Sequence, residues 1–136
     1  MRKCLVTGGA GFIGNHIVSK LIDSGDEVVV IDNFSTSGNK VNTKAKALNI
    51  DISERSSRLE LCEAMEGVDT VFHCAALARV QPSIENPQKY HKVNVDGTFN
   101  ILLSARDSGV RRVVYSASSS AYGDQKTMPL VESMPT

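Results

Sequence analysis

The chain has 136 residues and a formal net charge of +0, because 15 Lys and Arg balance 15 Asp and Glu. This length fits one domain, and the balanced charge gives no overall field that would attract nucleic acid or an anionic membrane. Hydrophobic residues make up 41% of the chain, yet no run approaches the roughly 20 apolar residues of a membrane span. The three cysteines lack the spacing of a zinc site and indicate reduced thiols. We therefore expect a cytoplasmic protein with no metal site.

A strand, a glycine-rich turn and a helix are predicted at the start of the chain. Cys4–Val6 is typical of a short buried strand, and Gly8, Gly11 and Gly14 follow it. Apolar residues then recur at helical spacing: Ile13, Ile17, Val18, Leu21 and Ile22. Gly8 would permit a tight turn, Gly11 would keep side chains away from a pyrophosphate, and Gly14 would let the helix press against the strand. The same spacing also occurs in ordinary glycine-rich loops.

The second predicted strand supports the interpretation of the glycine turn as part of a dinucleotide-binding site. It covers Glu27–Asp32 and ends in a carboxylate about 20 residues beyond the glycines, the usual position for pairing with the adenosine ribose hydroxyls. A carboxylate there repels a 2′-phosphate, so NAD is favoured over NADP. Considered without the glycine turn, Asp32 is equally compatible with a solvent-exposed acidic residue at the end of a strand. The polar stretch Asn33–Asn39 is either a loop around the adenosine or a plain connector.

The middle of the chain predicts a third strand and a helix. The strand covers Ala47–Ile50 and is followed by Asp51, and Ser53 has the position of a helix cap. The residues expected on the buried face of this helix are Leu59, Cys62 and Met65, with Gly67 ending it.

A fourth strand, Asp69–Cys74, runs into Ala75 and Ala76. These small residues would let a cofactor lie flat across the strand end. His73 is either a catalytic base or a packed, hydrogen-bonded side chain. Because the sequence shows no partner for it, we predict the packed role.

A long helix and a fifth strand complete the pattern. Gln81–Pro87 predicts a proline-containing loop with a helical turn, Gln88–Ser108 a helix, and Arg112–Ser116 a strand. The residues expected on the buried face of the helix are Val93, Ile101, Leu102 and Ala105. Asn94 is a polar group expected to point toward the end of the sheet.

This alternation of strands and helices predicts an α/β, Rossmann-type doubly wound parallel sheet in the order 3-2-1-4-5. A ligand crevice is then expected at the carboxyl ends of strands 1 and 4. The glycine turn, Asp32, Asp51, Ala75 and the stretch Ser116–Ser120 all fall on that edge.

Taken in order, the motifs resemble those of the extended short-chain dehydrogenase/reductases, in particular the nucleotide-sugar epimerases. The matching stretches are Thr7–Gly14, Ile31–Asn33, Asp51-Ile52, His73–Ala76, Asn94–Thr98 and Ser118–Gly123. The resemblance covers the whole chain. It implies a UDP-sugar 4-epimerase, in which NAD stays bound while a hydride leaves sugar C4 and returns to the opposite face of a 4-keto ring.

The resemblance also implies which residues contact NAD. In it, Asp51 and Ile52 meet the adenine, Ala75 and Ala76 line the cofactor, and Asn94 supports the geometry. The full implied set is Gly8, Gly11, Phe12, Ile13, Gly14, Asp32, Asn33, Ser35, Asp51, Ile52, Ala75, Ala76 and Asn94.

Ser118 matches the catalytic serine or threonine of the family. Its hydroxyl both donates and accepts, which suits a sugar oxygen that gains and loses a proton. Ser119 and Ser120 stand where related dehydratases and decarboxylases include acids, and water elimination needs an acid to protonate the leaving group. Hydroxyls there favour an epimerase, although three serines also suit a turn. The stretch Leu77–Ile84 resembles the loop of epimerases that take UDP-N-acetylhexosamines or their uronic acids. The sequence does not determine which UDP-sugar is the substrate.

The family's base is a tyrosine, paired with a lysine four residues later on a helix beyond this sequence, which ends at Thr136. Residues 1–136 therefore resemble a partial NAD-binding domain without the substrate domain, and we expect them to be inactive alone. Tyr122 and Lys126 have the same spacing, but Gly123 and Asp124 predict a turn, where that spacing does not bring side chains together.

Two alternatives remain from the sequence: a non-catalytic NAD-binding module, and a fragment of a related nucleotide-sugar dehydratase. The fifth strand would also leave an apolar edge at Val113–Tyr115, so we expect self-association, with a homo-oligomer as one outcome.

Overall fold

The computed structural model describes residues 1–36 and 41–136, which form a five-stranded parallel sheet. The strands are β1 (Lys3–Thr7), β2 (Glu27–Asp32), β3 (Lys46–Asn49), β4 (Thr70–His73) and β5 (Arg112–Tyr115). The helices are α1 (Phe12–Asp23), α2 (Arg58–Ala64), α3 (Val80–Glu85), α4 (Pro87–His91) and α5 (Gly97–Asp107). The order β3-β2-β1-β4-β5 confirms the predicted α/β Rossmann-type topology.

Two hydrophobic cores lie on opposite faces of the sheet because side chains alternate along each strand. On one face, Leu5 and Val71 pack with residues of α2 and α5, including Leu61 and Ile101. On the other face, Val6 and its neighbours pack against Val18 and Leu21 of α1. Since both faces are covered, the strands are almost continuously apolar, as is usual for a parallel sheet.

The strand register brings the candidate residues to one edge. Thr7, the last residue of β1, lies between Ile31 of β2 and His73 of β4. Parallel strands end together, so the segments after β1, β2 and β4 leave the sheet at the same side. The loop predicted over Asn33–Asn39 is described only as far as Thr36, and Ser37–Asn39 lie outside the described residues.

Several local predictions were wrong. Ser53 caps no helix: a 3₁₀ turn, Arg55–Ser57, precedes α2, and the Ser53 hydroxyl donates to Asp51 instead. Leu59 is 77% exposed, because α2 turns Leu61 and Ala64 toward the core. The third strand begins and ends one residue earlier than predicted.

The predicted long helix is a composite. Its first part is α4, a π-helical turn over Lys92–Asp96 follows, and α5 continues to Asp107. Leu102, predicted to be buried, is 48% exposed. The stretch before this composite helix, predicted as a proline-containing loop with a helical turn, contains α3. Among the described residues, no helix combines the length and apolar character needed to cross a membrane.

Candidate functional site

A cavity of about 420 Å³ opens at the carboxyl edge of the sheet between β1, β2 and β4. The predicted cofactor residues that line it are Gly8, Gly11, Asp32, Asn33, Ser35, Asp51, Ile52, Ala75 and Ala76. Phe12, Ile13 and Gly14 lie in the first turn of α1. Asn94 lines a second, adjoining cavity, which is described below. The structure thus brings the predicted set to one edge, as the sequence indicated.

The glycine turn is packed too tightly for side chains. Gly8 has φ +67°, and a Cβ there would lie 2.8 Å from the backbone nitrogen of Ala75. A Cβ on Gly14 would lie 2.2 Å from the Gly8 carbonyl oxygen. Gly14 therefore lets α1 approach the turn itself, whereas the sequence predicted an approach to the strand. The result is a backbone cradle open toward the cavity.

Helix α1 begins at this cradle with Gly11 as its N-cap, and no side chain of the described residues caps it. The first backbone N–H groups of a helix have no partner within the helix and carry partial positive charge. The N–H groups of Phe12 and Ile13 are in this position, while both side chains are exposed. Such an arrangement binds phosphate groups.

Asp32 faces the cradle from the end of β2. Its Oδ2 accepts the Ala10 N–H at 3.0 Å, and its Oδ1 accepts the Phe34 N–H at 2.8 Å. Phe34 adopts φ 54°, in the left-handed region. A carboxylate has about four lone-pair sites, so Asp32 keeps acceptor capacity for ligand hydroxyls.

Asp51 forms the far end of the cavity. Its Oδ1 accepts both the N–H and the hydroxyl of Ser53, at 2.9 and 2.6 Å, and its Oδ2 accepts from Asn33 Nδ2 at 2.9 Å. Burial opposes ionisation of this carboxyl, but the hydrogen bonds from Ser53 and Asn33 outweigh it and keep the pKa below its usual value. Asp51 is thus a fixed anion beside Ile52.

His73, the last residue of β4, is 2% exposed. Thr7 Oγ1 accepts the N–H groups of Cys74 and Ala75, both at 3.2 Å. With both lone pairs used, Thr7 donates its hydroxyl proton to His73 Nδ1 at 2.6 Å. His73 Nε2 then carries the imidazole proton and donates to Thr98 Oγ1 at 2.9 Å.

This network assigns His73 a neutral state. Burial lowers the pKa of His73 to about 4. A second proton on Nδ1 would face Thr7 Oγ1, which has no lone pair left to accept it. The packed, hydrogen-bonded role predicted from the sequence is confirmed: His73 orients the Thr7 hydroxyl, which in turn fixes the backbone at Ala75.

A second cavity, of about 670 Å³, adjoins the first. The residues lining both cavities are Cys74, Ala75, Ala76 and Leu77. Asn94, in the π-helical turn, holds this shared wall: its Oδ1 accepts the Leu77 N–H and its Nδ2 donates to the Leu77 carbonyl, each at 2.9 Å.

Ser118 lies on the rim of the second cavity, just after β5. Its hydroxyl donates to Ser120 Oγ at 3.0 Å and accepts the Ser120 N–H at 3.1 Å. The 3₁₀ turn Ser119–Tyr122 ends at Gly123, which has φ +62°. Tyr122 and Lys126 therefore share no helix, as the turn residues predicted.

The sequence analysis assigned no role to four residues that organise the site: Thr7, Gly97, Thr98 and Asn100. Thr98 links His73 to the Asn94 carbonyl oxygen, to which it donates at 2.8 Å. Asn100 Nδ2 donates to the Ile52 carbonyl oxygen at 2.8 Å. The signal was present in Asn94–Asn100, where polar residues and a glycine interrupt a helix; the stretch Asn94–Thr98 matches a family motif, but the sequence assigned a role only to Asn94.

Comparison with known proteins identifies a family and relatives that this chain resembles. The model of the NAD dependent epimerase/dehydratase family matches residues 4–136. A UDP-glucose 4-epimerase of Streptomyces lividans is 39% identical over 136 residues, covering 98% of this chain and 41% of that protein. The chain therefore spans less than half the length of this relative.

Solved structures share the fold over almost the whole chain. The UDP-glucose-4-epimerase of Stenotrophomonas maltophila, with bound NAD and formylated UDP-arabinopyranose, has a TM-score of 0.88 at 32% identity, covering 100% of this chain and 43% of that one. A NAD-dependent NDP-hexosamine 5,6-dehydratase involved in tunicamycin biosynthesis has a TM-score of 0.84 at 31% identity, covering 99% of this chain and 43% of that one.

Proposed function

This chain belongs to the NAD dependent epimerase/dehydratase family, and from that premise we propose that it is the NAD-binding portion of a UDP-sugar 4-epimerase. The observation that carries the proposal is the glycine cradle, whose Ala10 N–H is hydrogen-bonded by Asp32, with both lining the first cavity. A Cβ on Gly8 or Gly14 would collide with backbone atoms, so the turn adopts this shape only because both lack side chains. The residues present therefore fit a dinucleotide.

NAD is the cofactor, and each part of the cavity suits one part of it. The N–H groups of Phe12 and Ile13 bind the pyrophosphate, with Gly11 leaving the approach open. Asp32 accepts the adenosine ribose hydroxyls and disfavours the 2′-phosphate of NADP. The remaining contacts we assign to NAD are Gly8, Gly14, Asn33, Ser35, Asp51, Ile52, Ala75, Ala76 and Asn94.

When bound, NAD supplies the hydride acceptor for the sugar C4 position. Ser118 lies on the rim of the adjoining cavity, where its hydroxyl donates to or accepts from the sugar oxygen that loses and regains a proton. Its bonds to Ser120 orient the hydroxyl. Proton abstraction needs a base, and in the family that base is a tyrosine outside this sequence. We therefore propose that residues 1–136 on their own bind NAD without turnover.

The second candidate is a fragment of a nucleotide-sugar dehydratase, which the 5,6-dehydratase neighbour favours. Water elimination needs an acid near the leaving group. Within the described residues, the lining of the second cavity contains neither Asp nor Glu. This lining supports the epimerase. A non-catalytic NAD-binding module stays as the third alternative, and the cytoplasmic location stays a prediction.

Titration calorimetry of NAD and NADP, followed by a UDP-sugar epimerisation assay on the same sample, tests the proposal. Asp32→Asn removes the carboxylate charge and should weaken NAD binding about 10-fold or more, the effect of a hydrogen bond to a charged group. Asp23→Asn, at the exposed end of α1, is the matched control. Failure of the wild-type chain to bind NAD would overturn the proposal, and unaided turnover would overturn its claim of inactivity.

A further inference from the structure

One turn of α5 contacts the adenine-side wall of the first cavity without lining the cavity itself. Gly97 and Asn100 both meet Ile52, the residue after Asp51. A Cβ on Gly97 would lie 2.9 Å from Ile52 Cγ1 and 3.0 Å from its Cδ1. The side chain of Ile52 is buried, so it has little room to retreat. Gly97 thus sets how closely α5 approaches this wall.

Asn100 fixes the backbone of the same wall. Its side chain is buried, and its Nδ2 donates to the Ile52 carbonyl oxygen at 2.8 Å. A buried carbonyl without a partner is unfavourable, so the bond determines where the Asp51–Ser53 segment leaves β3. Two contacts of different kinds, a steric contact and a hydrogen bond, therefore hold Ile52 against one helical turn.

The opposite wall is held by the same stretch of helix. Thr98 accepts from His73 Nε2, and His73 is the last residue of β4 before the shared wall. Residues at 97 and 100 thus contact one side of the crevice, and a residue between them contacts the other. The π-helical turn immediately before Gly97 sets the rotation of this stretch.

We propose that Asn100 is a positioning residue that orients Ile52 and the Asp51–Ser53 segment for the adenosine half of the cofactor, while Thr98 performs the equivalent task for the opposite wall. This inference rests on the proposed NAD site. It assigns a role in cofactor affinity to a side chain that lies outside the cavity lining.

Binding of NAD and of ADP-ribose, which lacks the nicotinamide, separates the two walls. Asn100→Leu keeps the branched shape and the number of side-chain heavy atoms but removes the donor, so it should weaken NAD and ADP-ribose equally, by about tenfold, the effect of one buried hydrogen bond. Thr98→Val removes the acceptor for His73 and should weaken NAD while leaving ADP-ribose unchanged. A purely structural role would not separate the two ligands in this way.

Two further variants keep the test decisive. Gly97→Ala displaces Ile52 from the same turn by a different route and should reproduce the ADP-ribose defect if Asn100→Leu does not fold. Ala105→Gly, at a buried position two turns later, destabilises α5 and should leave both affinities unchanged. Unchanged ADP-ribose binding in both Asn100→Leu and Gly97→Ala, or a loss confined to NAD in these two variants, would overturn the inference. Absence of binding by the wild-type chain would instead overturn the proposed function on which it rests.

Discussion

His73 Nδ1 lies 2.6 Å from the Thr7 hydroxyl, and this contact joins the last residue of β4 to the last residue of β1. It holds only while the imidazole is neutral. Burial lowers the pKa of His73 to about 4, against an ordinary value near 6.5. The unfolded chain therefore binds a proton at a pH where the folded chain does not.

The free energy of unfolding should consequently fall as the pH drops from about 6.5 to about 4, with a total loss of about 3 kcal/mol from this group. Urea unfolding across this range measures the loss. His73→Gln should flatten the slope, whereas His16→Gln, at an exposed position on α1, should not. An unchanged slope in His73→Gln would contradict the neutral assignment.

Asp69, whose pKa lies at about 2 mainly because of its hydrogen bond from Arg111, loses its stabilising effect only at lower pH.

Periodicity and glycine spacing predicted the sheet order and the crevice, because these two patterns depend only on residues that are close together in the sequence. The helical period alone does not determine which apolar side chains pack against the sheet, so it predicts Leu59 and Leu102 to be buried although both are exposed. The bond from Asn100 to Ile52 joins residues 48 positions apart. Such tertiary contacts, like the π-helical turn that orients them, leave no periodic signal.

Gly14→Ala should abolish NAD binding and destabilise the fold. The new Cβ would lie 2.2 Å from the Gly8 carbonyl oxygen, a backbone atom that cannot move without opening the cradle. Overpacking typically costs about 1–3 kcal/mol, and a backbone clash lies at the upper end. Gly67→Asn is the matched control, since Gly67 has φ +70° with open space around it and Asn tolerates that conformation. Thermal unfolding and calorimetry together check the prediction, and normal NAD affinity in Gly14→Ala would contradict it.

Asn94→Asp should weaken NAD binding about tenfold, because the carboxylate accepts from the Leu77 N–H but repels the Leu77 carbonyl oxygen. The shared wall of the two cavities would then shift. Asn86→Asp is the control, since Asn86 caps α4 by accepting the Lys89 N–H, a bond that Asp also makes. Equal NAD affinities for the two variants would show that the Leu77 contact does not shape the site.

Self-association of the chain should depend on an exposed apolar stripe as well as on the edge of β5. Val95, Phe99 and Leu102 recur at helical spacing and are 52%, 57% and 48% exposed, while Val114 on the edge strand is 43% exposed. The stripe offers the larger apolar surface, so Phe99→Glu should reduce association more than Val114→Lys. Sedimentation velocity over a concentration series measures both, with Lys20→Glu on α1 as the control for added negative charge. A wild-type chain that stays monomeric at all concentrations would contradict the prediction.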